Sequence, residues 1–168
     1  MNEVNKCIGN LQSATSSDSL PEGTTLESPK AFIAHGPRGR ALEKTERFLR
    51  ALGVEPLVVE EQPTKARALD DKVDGYLKGA HCVIILATGD DEIKGKVQPR
   101  QNVIHETGLA QKTHPERIIY LLEEGAEFPS NIAPKVHQRF RQENMEEAFM
   151  TIARELREFG QIKAARVE

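Results

Sequence analysis

The chain has no tryptophan, only two cysteines, and aromatic residues at just 5% of its 168 positions. Cys7 stands in a polar tail and Cys82 at the head of an apolar run. Two sites so unlike do not make a disulfide framework, so a reducing, cytoplasmic setting is expected. No apolar run approaches the roughly 20 residues that cross a bilayer. The N-terminus lacks the basic stretch and apolar block of a secretory signal. Charge of one sign is missing too. With 23 basic and 26 acidic residues the net charge is −3, which gives no field to draw nucleic acid or an anionic membrane. No Cys–His cluster has metal-binding spacing, so no metal is expected.

What is present is an α/β pattern behind a polar leader. Residues 1–29 are rich in Ser, Thr, Asn, Pro and Gly, cannot bury enough apolar surface to offset their ordering entropy, and read as a disordered leader. From Ala31 apolar strands alternate with amphipathic helices. Strands are expected near 31–34, 54–59, 82–87 and 118–122, with a weaker one at 136–140. Helices are expected near 41–52, 66–79, 101–112 and 144–159. Gly53 is a stop for the first helix. Pro56 puts its strand at an edge. The run 82–87 suits a strand covered on both faces. Asn144, with Glu147 three residues on, predicts a capped start for the last helix. Residues 88–100 read as a long polar loop, with Asp90 and Asp91 as turn residues.

This alternation predicts a flavodoxin-like, five-stranded parallel sheet in order 2-1-3-4-5, with helices on both faces, over residues 30–160 and a tail at 161–168. Ligands of such sheets sit beyond the strand C-termini, where the order switches between the first and third strands. The 35–40 loop and the 88–100 loop then frame the site, and the third helix opens beside it.

Familiar nucleotide motifs fail. No Gly-x-Gly-x-x-Gly follows the first strand, and the stretch from Gly89 to Val97 has the wrong spacing for a phosphate loop, with Val97 where Ser or Thr should stand. The segments His35-Gly36, Glu61-Gln62-Pro63-Thr64-Lys65-Ala66-Arg67 and Arg100-Gln101-Asn102-Val103-Ile104-His105-Glu106 do match something. Together they resemble the bacterial TIR-like predicted nucleotide-binding family. Its members read His-Gly after the first strand, Glu-Gln-Pro-Asn-Lys-Gly-Arg after the second, and Arg-Gln-Asn-Val-Ile-Phe-Glu-Leu-Gly in the third helix. The resemblance spans about residues 31–160. Here His105 replaces the aromatic, Ala66 the glycine, and Thr107 and Leu109-Ala110 the residues flanking Gly108.

The resemblance implies a TIR-type fold, an NAD⁺ glycohydrolase of bacterial antiviral defence, and Glu106 as the catalytic glutamate, with NAD⁺ as substrate rather than cofactor. It implies self-association through TIR domains, and with no second domain expected, a separate sensor protein as trigger. The chemistry is consistent. Nicotinamide leaves NAD⁺ as a neutral base and needs no general acid. One carboxylate suffices to stabilise the oxocarbenium-like ribose. Arg38, Arg40, Lys65 and Arg67 are candidate diphosphate partners, because cationic donors suit phosphate oxygens. His35, Gly36, Thr88 and Asn102 complete the expected binding set. His35 and His105 are expected to satisfy local hydrogen bonds rather than act as bases. Two other readings stay open: a non-enzymatic TIR-like module that binds a nucleotide or other TIR domains, and an enzyme like the nucleoside deoxyribosyltransferases.

Overall fold

The computed structural model describes residues 27–59 and 66–163, the side chains of 66–70 excepted. The elements run β1 (Lys30–His35), α1 (Arg40–Ala51), β2 (Glu55–Leu57), α2 (Ala66–Gly79), β3 (Cys82–Ala87), β4 (Asp91–Ile93), β5 (Lys96–Gln98), α3 (Gln101–Thr113), β6 (Ile118–Glu123), β7 (Gln138–Phe140) and α4 (Glu146–Glu158). The main sheet has order β2-β1-β3-β6-β7 and every pairing in it is parallel. With the β4–β5 hairpin set aside, this is the expected 2-1-3-4-5 winding.

Strand alternation builds two cores. Ala31 and Ile33 of β1 and Cys82, Ile84 and Leu86 of β3 face one side, against Leu42 and Leu49 of α1 and Ile152 and Leu156 of α4. Phe32 and Ala34 of β1 and Val83, Ile85 and Ala87 of β3 face the other, against Val73 and Leu77 of α2 and Val103 and Ala110 of α3. All six residues of β3 are buried, as a central strand covered on both faces requires. Burial also pushes the Cys82 thiol up to about 12. Gly53 ends α1 with φ of 77°, a conformation cheap only for glycine. Pro56 lies in β2 at the sheet's edge, where its missing N–H does least harm.

Three local expectations are corrected. Residues 88–100 are not a plain loop, because Asp91 opens an antiparallel hairpin, β4 with β5. Its two-residue turn, Lys94-Gly95, has φ of 53° and 73°. Positive φ at both central positions is the turn whose twist suits a hairpin. The last strand starts at Gln138 rather than Val136, whose side chain is 94% exposed. Asn144 does not cap α4 as predicted. Met145 holds the N-cap position, and the Asn144 side-chain oxygen instead accepts the Glu146 N–H at 3.1 Å. Ile162 packs on the α1–α4 core. The leader through 26, loop residues 60–65 with Lys65, the side chain of Arg67 and the tail from 164 lie outside the described residues.

Candidate functional site

β1 and β3 are the strands at which the order switches, and both end at the same edge. Alternation turns His35 and Thr88 toward the α1–α4 side. There His35, Gly36, Arg38 and Thr88 line a cavity of about 200 Å³ with Leu42, Leu86, Asp90 and Gln142. His35 Nδ1 lies 2.6 Å from the Gly36 carbonyl oxygen, so its proton is used locally, as expected of it.

Asp90 organises this edge, and reading it as a turn residue missed that. The Thr88 hydroxyl lies 2.9 and 2.8 Å from the two Asp90 carboxylate oxygens. The backbone N–H of Arg100, the residue before α3, also donates to this carboxylate. A Cβ added to Gly36 would overlap the Asp90 carboxylate, so only glycine lets the loop after β1 come so near. Crowding on one side removes part of the water around this otherwise exposed carboxylate and raises its pKa, the largest effect there. The Thr88 bond opposes the rise, Glu123 and Asp91 add to it by repulsion, and the Arg100 amide opposes it again.

A second carboxylate ties the strand ends together. Glu123, closing β6, accepts the Gly89 N–H at 2.8 Å and the Gln142 side-chain amide at 2.7 Å. The Lys44 ammonium donates to the Gln142 carbonyl at 2.7 Å, which links the same network to α1. Glu123 and Gln142 carried no signal in the sequence, since one ends an apolar strand and the other lies in a short polar turn.

The third helix presents its residues on the other side of the sheet. Val103, Thr107 and Ala110 are its buried positions. On one flank Gln111 donates to the Tyr120 hydroxyl of β6 at 3.2 Å. Asn102 and Glu106, four residues apart, share the opposite flank, turned toward β1 and α2. Asn102 is exposed and Glu106 half-buried. On this face β1 and β3 end in Ala34 and Ala87, both buried in the core under α2 and α3.

Residues 30–142 match the family model described as CAP12/Pycsar effector protein, TIR domain. The chain belongs to this family. Among similar proteins are the uncharacterized protein YuaY of Escherichia coli (strain K12), 30% identical over 113 residues, and protein tirC of Dictyostelium discoideum, 28% identical over 106 residues. The alignments cover 63% and 56% of this chain but only 38% and 53% of those relatives, so the chain spans about half their length or less.

Within this TIR domain the expected binding set is divided. His35, Gly36, Arg38 and Thr88 gather on the α1–α4 side, and Asn102 and Glu106 on the α2–α3 side, with the ends of β1 and β3 between. Arg40 joins neither group, being exposed at the first position of α1 and outside the cavity lining. Arg38 is partly committed elsewhere. Its Nη2 lies 3.2 Å from Glu46, a carboxylate of α1 that is only 6% exposed. His105, in place of the family's aromatic, is exposed. Among the described residues no group of His, Cys, Asp or Glu is arranged to hold a metal, and no helix is long and apolar enough to cross a membrane.

Proposed function

We propose that this TIR domain cleaves the nicotinamide–ribose bond of NAD⁺, works as an assembly, and serves as an antiviral effector in the cytoplasm. The observation that carries the reading is the placement of Glu106. It stands half-buried, within the Arg100–Glu106 motif, on α3, the helix that packs against β1 and β3. Membership of an effector TIR family supports the same reading.

In this mechanism the C–N bond breaks with its electron pair leaving on nicotinamide, which departs neutral. The ribose carbon becomes electron-poor, and the Glu106 carboxylate stabilises that charge at short range. Water then adds to the carbon and releases a proton. Substrate lies across the strand ends, its reacting ribose toward Glu106 and its diphosphate toward the 36–39 loop. Activation comes from self-association or from a separate sensor protein, since the binding groups are spread over two faces of one small domain.

The test is Glu106→Gln, which keeps shape and removes charge. Loss of one preorganised electrostatic partner costs about 10²–10³ in rate. Nicotinamide release from NAD⁺ should fall by that factor, with the melting temperature unchanged. A variant that keeps more than about a tenth of the wild-type rate would remove Glu106 from the chemistry. A wild type that is silent in every assembled state would favour the binding-module reading, for which the exposed His105 in place of an aromatic speaks.

A further inference from the structure

The main sheet is open along half of one strand. β7 pairs with β6 only over Leu121–Glu123, so residues 118–120 of β6 have β3 on one side and no strand on the other. A groove of about 290 Å³ lies along this edge, between the 135–137 segment and α4. We propose that the groove is a docking site for an extended segment of a partner protein, apolar and acidic at alternate positions, which adds to the sheet beside β6.

Three observations carry the proposal. First, the backbone of this edge is unpaired. Arg117 accepts the Val83 N–H on the β3 side, and Glu124 donates to the Phe140 carbonyl on the β7 side, each at 2.9 Å. Alternation between them turns the N–H groups of Ile118 and Tyr120, and the Ile118 carbonyl, to the open edge. None of the three has a backbone partner among the described residues. A strand edge in this state is a template for another extended chain.

Second, the segment that would cover the edge is held off it. The register of β7, continued backwards, sets Val136 opposite Ile119. Instead the His137 ring stands edge-on to Phe128, with centroids 5.6 Å apart, and its Nδ1 lies 2.8 Å from the Lys135 carbonyl oxygen. Val136 is thereby left in water. It and Met150 of α4, which is 73% exposed, are the two most exposed large apolar side chains among the described residues. Val136 lines the groove, and Met150 lies one helical turn before Arg154 on its wall. Apolar side chains of a guest strand find their contacts here.

Third, the charge of the lining favours an acidic guest. The Arg154 guanidinium is balanced by Glu155 at 3.1 Å, whereas Lys135 has no ion pair among the described residues. A carboxylate beside Lys135 complements it and fixes the register of the added strand.

The proposal does not rest on NAD⁺ cleavage, and its test needs no turnover. A short synthetic peptide that alternates valine and glutamate is titrated into the full chain, and amide hydrogen exchange is followed by NMR. Without peptide the Ile118 and Tyr120 amides should exchange rapidly. With it their signals should move and their exchange should slow several-fold. The same peptide N-methylated on the side that faces β6 should do neither. Lys135→Glu alters an exposed side chain. It should weaken the peptide several-fold and strengthen one with lysine in place of glutamate. Slow exchange before peptide is added would overturn the proposal: persistence on dilution would show the edge covered by this chain, and loss on dilution would show it covered by a second copy. Unmoved signals at millimolar peptide, or equal binding of the methylated peptide, would overturn it as well.

Discussion

Helices α3 and α4 have the same length, 13 residues, and each buries three positions. What they bury differs. On α4 the positions are Ala148, Ile152 and Leu156, with Met145 buried just ahead. On α3 they are Val103, Thr107 and Ala110. α4 is held by apolar volume, while α3 has little and is fastened by polar links. The Asp90 carboxylate takes the Arg100 N–H ahead of it and Gln111 reaches Tyr120, while the buried Thr107 hydroxyl is satisfied within the helix by the Val103 carbonyl at 2.6 Å. The helix that carries the candidate chemistry is thus located by hydrogen bonds, which fix direction, and its neighbour across the sheet by packing, which fixes stability.

Substitutions on the two helices should separate these roles. The largest stability loss belongs to α4. Ile152→Ala removes a fully buried side chain and should cost about 2–5 kcal/mol in chemical denaturation, with little change in nicotinamide release per folded molecule. A loss under about 1 kcal/mol would show that the core around α4 collapses to fill the space. Next comes Gly36→Ala. Its new methyl displaces the Asp90 carboxylate and so loosens the Thr88 and Arg100 links. It should cost about 1–3 kcal/mol, the range for overpacking, and depress activity more than Ile152→Ala does. Full activity in that variant would mean that the Asp90 link does not locate α3.

A smaller effect comes from titrating Asp90. Its pKa is raised in the folded protein, so folding favours the protonated form. The stability it contributes is fully present below the ordinary carboxylate pKa and is lost as pH rises through the elevated one. Asp90→Asn removes this contribution. The difference in stability between wild type and variant should therefore change as pH rises from the ordinary carboxylate pKa through the elevated one. A difference that is flat throughout would put Asp90 with the ordinary surface carboxylates. The smallest expected change is at the hairpin turn. Lys94 holds φ of 53°, and Lys94→Gly relieves a conformation unfavourable for a side chain. Stability should rise by roughly 1 kcal/mol, and no rise would mean the turn is strained elsewhere.

The comparison also explains what could be read in advance. α1 and α4 follow a regular apolar stripe, on which Leu42 and Leu49, and Ile152 and Leu156, are buried. The all-apolar β3 announced a central strand. The β4–β5 hairpin was hidden because its strands have three residues each, carry charge, and turn on Lys-Gly rather than Asn-Gly. The division of the site is a matter of strand parity. His35 and Thr88 each lie one residue past an inward-facing alanine, Ala34 or Ala87, and so point to the opposite face from Glu106. That follows from period-two alternation, yet it needs the register of β1 with β3, which no single strand contains. Asp90 was missed because a plain turn aspartate and one that bonds the ends of neighbouring elements look alike until the chain around them is folded.

Cys82 begins the central strand with no exposed surface and a thiol that resists ionisation. Its sulfur is reached by an alkylating reagent only when β3 parts from a neighbouring strand or from the helices above it. The rate of its modification is thus a clock for opening of the sheet's middle, once Cys7 is replaced by serine to silence the other thiol. Run with and without nucleotide, that clock reports whether an occupant at the rim tightens the middle of the domain.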